Sequence, residues 1–128
     1  MADDALCPCD SGQIFRGCCQ PYLRGELNAP SAAALMRSRY TAYVLEDASY
    51  LLATWHPATR PGSLHFDQQS RPKWLGLAVK RRADIDNQHA MVEFVARYKI
   101  NGRAFRLHET SRFKLIDGRW YYLDGEVD

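Results

Sequence analysis

A chain of 128 residues with 46% hydrophobic and 12% aromatic content can bury one core and sits in the ordinary globular range. Its formal charge is +2, split as −1 over residues 1–64 (5 basic, 6 acidic) and +3 over residues 65–128 (12 basic, 9 acidic), too even a balance to argue for sequence-specific DNA binding. No apolar run approaches the ~18 residues of a membrane span, and Met1-Ala2-Asp3-Asp4 lacks a basic leader, so a soluble cytoplasmic protein with no membrane partner is expected.

All four cysteines fall within Cys7-Pro8-Cys9-Asp10-Ser11-Gly12-Gln13-Ile14-Phe15-Arg16-Gly17-Cys18-Cys19. Thiols used only as small packing groups would be scattered. Four within reach of one another can surround one ion, and thiolates favour Zn(II) in a tetrahedron with Zn–S near ~2.3 Å. The C-x-C-x8-C-C spacing is not the usual C-x2-C knuckle, yet it can close. Pro8 stiffens the first turn and Gly12 permits a reversal at positive φ. Gln13 to Gly17 then gives about one helical turn, which returns Cys18 and Cys19 to the ion. Ile14 and Phe15 would form a small apolar lid.

So short a segment buries too little surface to fold alone, so the ion would supply its folding energy. The spacing favours a closed structural site with one Zn(II) per chain on Cys7, Cys9, Cys18 and Cys19, with no open position for catalysis. If one ligand of the adjacent pair is labile, Cys19 is the expected one. A redox or disulfide-forming cluster is the second reading, since C-x-C and Cys-Cys pairs both oxidise. Copper(I) or an iron–sulfur site is the third.

Gln20 to Pro30 has the Pro, Gly and Asn content of a linker. A helix should follow, with Ser31 as its N-cap and Leu35, Met36, Tyr40, Tyr43, Val44 and Leu45 near helical spacing. A second helix is expected over about Ala48 to Thr54, stopped by Pro57, then a polar loop with a short helical turn near Phe66-Asp67. The second half reads as strands. Trp74 to Arg82 alternates, with Leu75, Leu77 and Val79 on one face and Trp74, Gly76, Ala78 and Lys80 on the other. Met91 to Tyr98 is rich in β formers, Asn101-Gly102 and Asp117-Gly118 are hairpin turns, Arg103 to Ile116 is a long strand, and Trp120 to Leu123 closes the set. Helices followed by a four-stranded antiparallel meander give an α+β fold, with the helices packed on a curved sheet and a short N-terminal zinc knuckle.

On the long strand, Phe105, Leu107, Glu109, Ser111, Phe113 and Leu115 share one face. Glu109 is the anomaly there, because a carboxylate on an apolar face needs a partner or its pKa rises. Arg37, Arg39 and His56 are the candidate partners. Three readings stay open: a structural ion pair, a bulge that turns Glu109 outward, or a working carboxylate in a pocket. His56 is either a packing and capping residue or a catalyst. Lys80-Arg81-Arg82 is a solvated strand end or an anion contact. No Ser-His-Asp, H-E-x-x-H, P-loop or dinucleotide pattern is present.

C-P-C-x-S-G-x5-C-C resembles the SEC-C motif, a zinc-binding segment also found at the C-terminus of the SecA translocation ATPase. Gly usually stands at Asp10 in that motif, and a basic-aromatic stretch usually stands at Gln13-Ile14-Phe15-Arg16. Leu35-Met36-Arg37-Ser38-Arg39-Tyr40, Trp55-His56-Pro57, Trp74-Leu75-Gly76-Leu77, Phe94-Val95-Ala96-Arg97, Glu109-Thr110-Ser111-Arg112-Phe113 and Gly118-Arg119-Trp120-Tyr121-Tyr122-Leu123-Asp124-Gly125 extend the resemblance to the YchJ family over essentially the whole chain. That resemblance implies a zinc-binding motif over residues 1–24 and a nuclear transport factor 2-like (cystatin-like cone) domain over residues 30–128. It also makes a homodimer through the outer sheet face an expectation.

Two function classes follow, since a cone hosts both binding modules and enzymes. In the first, a non-catalytic interaction module docks a protein or ribonucleoprotein partner through the knuckle. It predicts a filled cone and an exposed apolar patch near Ile14 and Phe15. In the second, a small-molecule enzyme or sensor uses Glu109 as acid/base in a pocket lined by Arg39, Tyr40, Trp55, His56 and Tyr122. It predicts a cavity of ~300 Å3 or more around Glu109. A thiol redox protein is the remaining alternative.

Overall fold

Ser31 sets the start of the longest helix. In the computed structural model, which describes residues 5–66 and 69–127, its Oγ accepts the Ala34 N–H at 3.1 Å, satisfying one orphan donor of the first turn. The elements run as a 3-10 turn (Phe15–Gly17), α1 (Gln20–Leu23), α2 (Ala32–Leu45), α3 (Ala48–Ala53), β1 (Lys73–Asp84), β2 (His89–Ile100), β3 (Arg103–Ile116) and β4 (Arg119–Val127). Helix α2 stops where Glu46 turns left-handed at φ 57. Asp47 then caps α3, its Oδ1 accepting the Tyr50 N–H at 3.1 Å. The segment read as a linker opens with α1, which Pro21 is suited to start because its missing N–H is no loss there. The helical turn expected near Phe66-Asp67 extends onto residue 67, outside the described residues.

The strands form one antiparallel sheet in the order β1-β2-β3-β4. Asn101 and Gly102 (φ 52 and 79) join β2 to β3, and Asp117 and Gly118 (φ 50 and 79) join β3 to β4. Both positive φ values in each pair give turns whose twist matches the strands. The α+β architecture, few helices on an open four-stranded antiparallel sheet, is the one the sequence implies. Residues 54–56 add a short parallel bridge beside β4: Tyr122 N donates to Thr54 O at 2.8 Å, and His56 N donates to Tyr122 O at 2.7 Å.

One face differs from expectation. Pairing jumps from Trp74↔Tyr98 to Gly76↔Arg97, so Leu75 is an extra residue in a bulge. The bulge puts Trp74 on the face of Leu77 and Val79 and leaves Leu75 46% exposed. Trp74 thereby reaches Tyr40 (5.6 Å between ring centroids) and Tyr98 (5.3 Å), contacts that strict alternation would forfeit. A second bulge in β1 leaves Lys80 between Val79↔Phe94 and Arg81↔Glu93, and a third, in β4, separates Arg112↔Asp124 from Phe113↔Tyr122.

Helix α2 lies across the inner face of the sheet. Leu35, Met36 and Tyr40 join Leu77, Val92, Phe94 and Phe113 in one buried cluster that also takes in Cys7, Cys9, Phe15 and Cys19. Arg39 is 4% exposed in the midst of it. Its Nη1 donates to Leu51 O at 2.8 Å and Thr54 Oγ1 at 2.7 Å. Its guanidinium lies 5.0 Å from the Trp55 ring centroid and 4.6 Å from that of Tyr122. One cation thus ties α2 to α3 and to β4.

Thr54→Val keeps the shape of this joint but removes an acceptor from a buried charge. It is expected to cost about 1–3 kcal/mol in urea unfolding, against a few tenths for a surface substitution away from such bonds.

Candidate metal centre

A metal–thiolate distance near ~2.3 Å sets the edge of an ideal tetrahedron at about 3.8 Å. The four Sγ atoms of Cys7, Cys9, Cys18 and Cys19 all lie within 4.8 Å of one another. The Cys9–Cys18 separation is 3.6 Å and the Cys18–Cys19 separation 4.0 Å. None is in a disulfide. Four converging thiols, with no carboxylate or imidazole among them, make a donor set that fits a thiophilic ion in tetrahedral coordination.

Local backbone chemistry brings them there. Cys7 N donates to Gln13 O and Phe15 N to Ala5 O, both at 2.8 Å, closing a small hairpin in which Leu6 bridges Ile14. Asp10 at φ 62 and Gly12 at φ 85 make the reversal. The left-handed backbone at Asp10 accounts for the glycine usual there, and aspartate is among the few residues that tolerate it. The 3-10 turn follows, with Cys18 N donating to Phe15 O at 3.0 Å, and Cys19 caps α1.

Groups around the sulfurs fix their orientation. Thr41 Oγ1, from α2, donates to Cys19 Sγ at 3.4 Å and lies 3.7 Å from Cys7 Sγ. Ser11 Oγ accepts the Gln13 N–H and, at 3.2 Å from Cys18 Sγ, can donate to it. Such outer contacts hold ligands in place. Arg37 Nη1 donates to Cys9 O at 2.7 Å, so the residue offered as a Glu109 partner serves the knuckle instead. Hydrogen bonds from Cys19 and then Cys7 pull the Cys9 thiol well below its ordinary value. Burial pushes Cys18 up to about 11, and the hydrogen bond with Cys7, followed by that with Cys9, raises Cys19. Within the cluster Cys9 is thus the thiol favoured to ionise, and a cation would favour ionisation of Cys18 and Cys19. Cys7, Cys9 and Cys19 are buried and Cys18 is the outermost thiol. The sequence singled out Cys19 as the labile one, but Cys19 is 1% exposed and held by Thr41.

The knuckle is also fastened to the open edge of the sheet. Asp10 Oδ2 accepts the Leu77 N–H at 3.3 Å. A Cβ at position 76 would sit 2.7 Å from that oxygen, so glycine is what lets the two surfaces meet. Phe15, expected in an exposed patch with Ile14, is 6% exposed because it packs into the core. Ile14 is 38% exposed and its bridge partner Leu6 is 67% exposed.

A second site lies between α2 and the sheet. A cavity of about 230 Å3 is lined by Arg39, Tyr40, Glu109 and Tyr122 from the expected pocket. It is smaller than the ~300 Å3 expected of an enzyme's pocket, yet it is not the filled cone expected of a pure module. Trp55 backs Tyr122 and Arg39 without lining it, and His56 turns away, its Nδ1 accepting the Ala58 N–H at 2.9 Å. Glu109 neither bulges outward nor pairs with Arg37 or His56; Ser111 Oγ donates to its Oε2 at 2.7 Å. Tyr43 and Trp74 are lining residues the sequence reading missed. Tyr43 was findable, because Met36, Arg39, Tyr40 and Tyr43 form an i, i+3, i+4, i+7 stripe on α2. Trp74 was hidden by the bulge. Lys80, Arg81 and Arg82 are exposed.

Comparison with known proteins gives a consistent picture. A family model described as YchJ, middle NTF2-like domain, matches residues 31–125. A UPF0225 protein of Ralstonia nicotianae is 51% identical over 98% of this chain and 94% of its own. One of Chromobacterium violaceum is 54% identical over 96% and 93%. The solution structure of a SEC-C motif containing protein from Rhodopseudomonas palustris matches with a TM-score of 0.84 at 35% identity, covering 95% of this chain and 98% of that one. The crystal structure of a SEC-C motif containing protein from Psychrobacter arcticus matches at 0.80 and 28% identity, covering 100% and 86%.

Gly76→Ala is expected to cost about 1–3 kcal/mol in urea unfolding by driving a methyl group into Asp10. In an Asp10→Gly background the same change is expected to cost at least ~1 kcal/mol less. Additive costs would show that the Asp10–Gly76 contact carries none of the penalty.

Proposed function

The chain belongs to the YchJ (UPF0225) family, and we propose that it is a non-catalytic binding module whose knuckle is held by one structural Zn(II) on Cys7, Cys9, Cys18 and Cys19. The observation that carries this reading is the convergence of four thiols at tetrahedral spacing, three of them buried in the main core. Zinc is favoured over copper(I) or an iron–sulfur cluster because four thiolates satisfy its preference for a closed tetrahedron, and adjacent Cys18 and Cys19 suit a single ion better than a cubane. Four protein ligands leave no open position for a substrate, so the ion's work is structural. The four thiols are retained as ligands in this reading rather than as a redox pair, which accords with a reducing cytoplasm.

Partner docking is assigned to the outer side of the knuckle. Leu6 and Ile14 stand side by side across a bridge and are exposed, which supports an apolar contact with a protein or ribonucleoprotein. Among the described residues, no helix is long and apolar enough to cross a membrane. A second reading, acid/base chemistry or ligand sensing in the cone, draws on Glu109 in the wall of the cavity. Glu109 is the one carboxylate among its lining residues, and no histidine or cysteine joins it there, which favours binding over turnover.

Elemental mass spectrometry on untagged protein, with thiols titrated before and after chelation, tests the reading. One zinc per chain and four thiols exposed by the chelator are expected. No metal, or fewer than four thiols, overturns it in favour of redox chemistry. Chelation is expected to lower the thermal midpoint by more than about 10 °C. Because Cys18 and Cys19 keep their protons at pH 7 without a cation, Zn(II) added to metal-free protein should release about two protons per ion or more in a weakly buffered solution.

A further inference from the structure

We infer that the cone cavity is a binding site for a small organic cation, a protonated amine carried on an apolar or aromatic body, with the ammonium seated on Glu109. The cavity holds about 230 Å3, room for a ligand of one ring and a short chain. Trp74, Phe94 and Leu107 give it apolar walls, and Tyr40 and Tyr43 add aromatic rings whose π systems attract a cation, while Tyr122 already carries the Arg39 guanidinium.

The carboxylate supplies the anchor. Glu109 Oε2 accepts a hydrogen bond from the Ser111 hydroxyl at 2.7 Å, and Oε1 accepts none from the described residues. A carboxylate has about four acceptor sites, so an unfilled one in the wall of an aromatic cavity calls for a donor. The fold makes room for it. A Cβ at position 125 of β4 would sit 2.6 Å from Oε2, so glycine there is what allows the side chain to lie over the strand. The three phenols stay uncharged at neutral pH, because burial raises all of them and pushes Tyr40 and Tyr122 up to about 12. Glu109 is the one carboxylate in the lining.

Arg39 is the other charge in the wall, and it is anchored to α3 and β4. Its Nη1 is already shared between Leu51 O and Thr54 Oγ1, and its plane is covered by Trp55 and Tyr122. An anion would draw on the N–H groups of Arg39 beyond Nη1 and would also face Glu109. An amine meets an acceptor that is free.

The inference rests on the cavity alone. A protein without zinc that binds the amine would sink the metal reading and leave this one standing. The test uses the full chain and three matched probes, phenethylamine, 2-phenylethanol and phenylacetate, followed by NMR at the Trp74 indole N–H and the amides of Phe94, Leu107 and Glu109. Phenethylamine is expected to saturate with a Kd of about 1 mM or below, at least about tenfold tighter than the alcohol. Glu109→Gln is expected to reduce the amine to the alcohol's affinity with its amide spectrum otherwise unchanged. Since the probe series uses the unaltered protein, it decides the matter even where that variant folds poorly. Equal affinity for amine and alcohol would overturn the inference, as would a preference for phenylacetate, which would make Arg39 the anchor. So would the absence of shifts with any probe at about 10 mM.

Discussion

Four sulfur atoms held at tetrahedral spacing set the terms for the rest of this structure, because they belong at once to the knuckle and to the core. Cys9 is fully buried, and Cys7 and Cys19 are nearly so. A segment of some twenty residues has too little apolar surface to hold such a geometry alone. It borrows a wall from α2, whose Thr41 touches two of the sulfurs and whose Arg37 fixes the backbone of a third ligand. Ionising four clustered thiols without a cation is electrostatically costly, so on the proposed reading a bound ion would turn this borrowed wall into a stable joint.

Helix α2 is accordingly buried on most of its circumference, which is why it shows no single apolar stripe. Arg37 and Thr41 face the thiols, while Met36, Arg39, Tyr40 and Tyr43 line the cavity. The same helix is tied by Arg39 to α3 and β4. Thiol cluster and cavity therefore share one wall. Two glycines complete the arrangement by allowing close approach: Gly76 beneath Asp10 where the knuckle meets the sheet edge, and Gly125 beneath Glu109 where the cavity takes its carboxylate.

Local chemistry was legible in the sequence. Ser31 as a cap, Asn101-Gly102 and Asp117-Gly118 as turns, the β3 limits Arg103 and Ile116, and the clustering of cysteines all follow from interactions among near neighbours. The misses lie where distant residues decide. Leu75 is expelled because Trp74 gains aromatic partners on α2 and β2, a trade invisible to a two-residue period. Arg37 reaches Cys9, 28 positions away, and Glu109 settles for Ser111, two positions along its own strand. Phe15 turns inward because the knuckle packs on the core rather than standing apart from it. Which of Cys18 and Cys19 faces outward depended on Thr41, a residue no motif includes.

Amide hydrogen exchange across the whole chain, with and without a chelator, tests most directly whether the thiol cluster is the joint between knuckle and cone. If it is, removing the metal strips protection from residues 5–23 and also from the Arg37–Tyr43 stretch of α2 and from Leu77 in β1. Loss confined to residues 5–23, with α2 and β1 still protected, would contradict the account and make the knuckle an appendage on an independently stable cone.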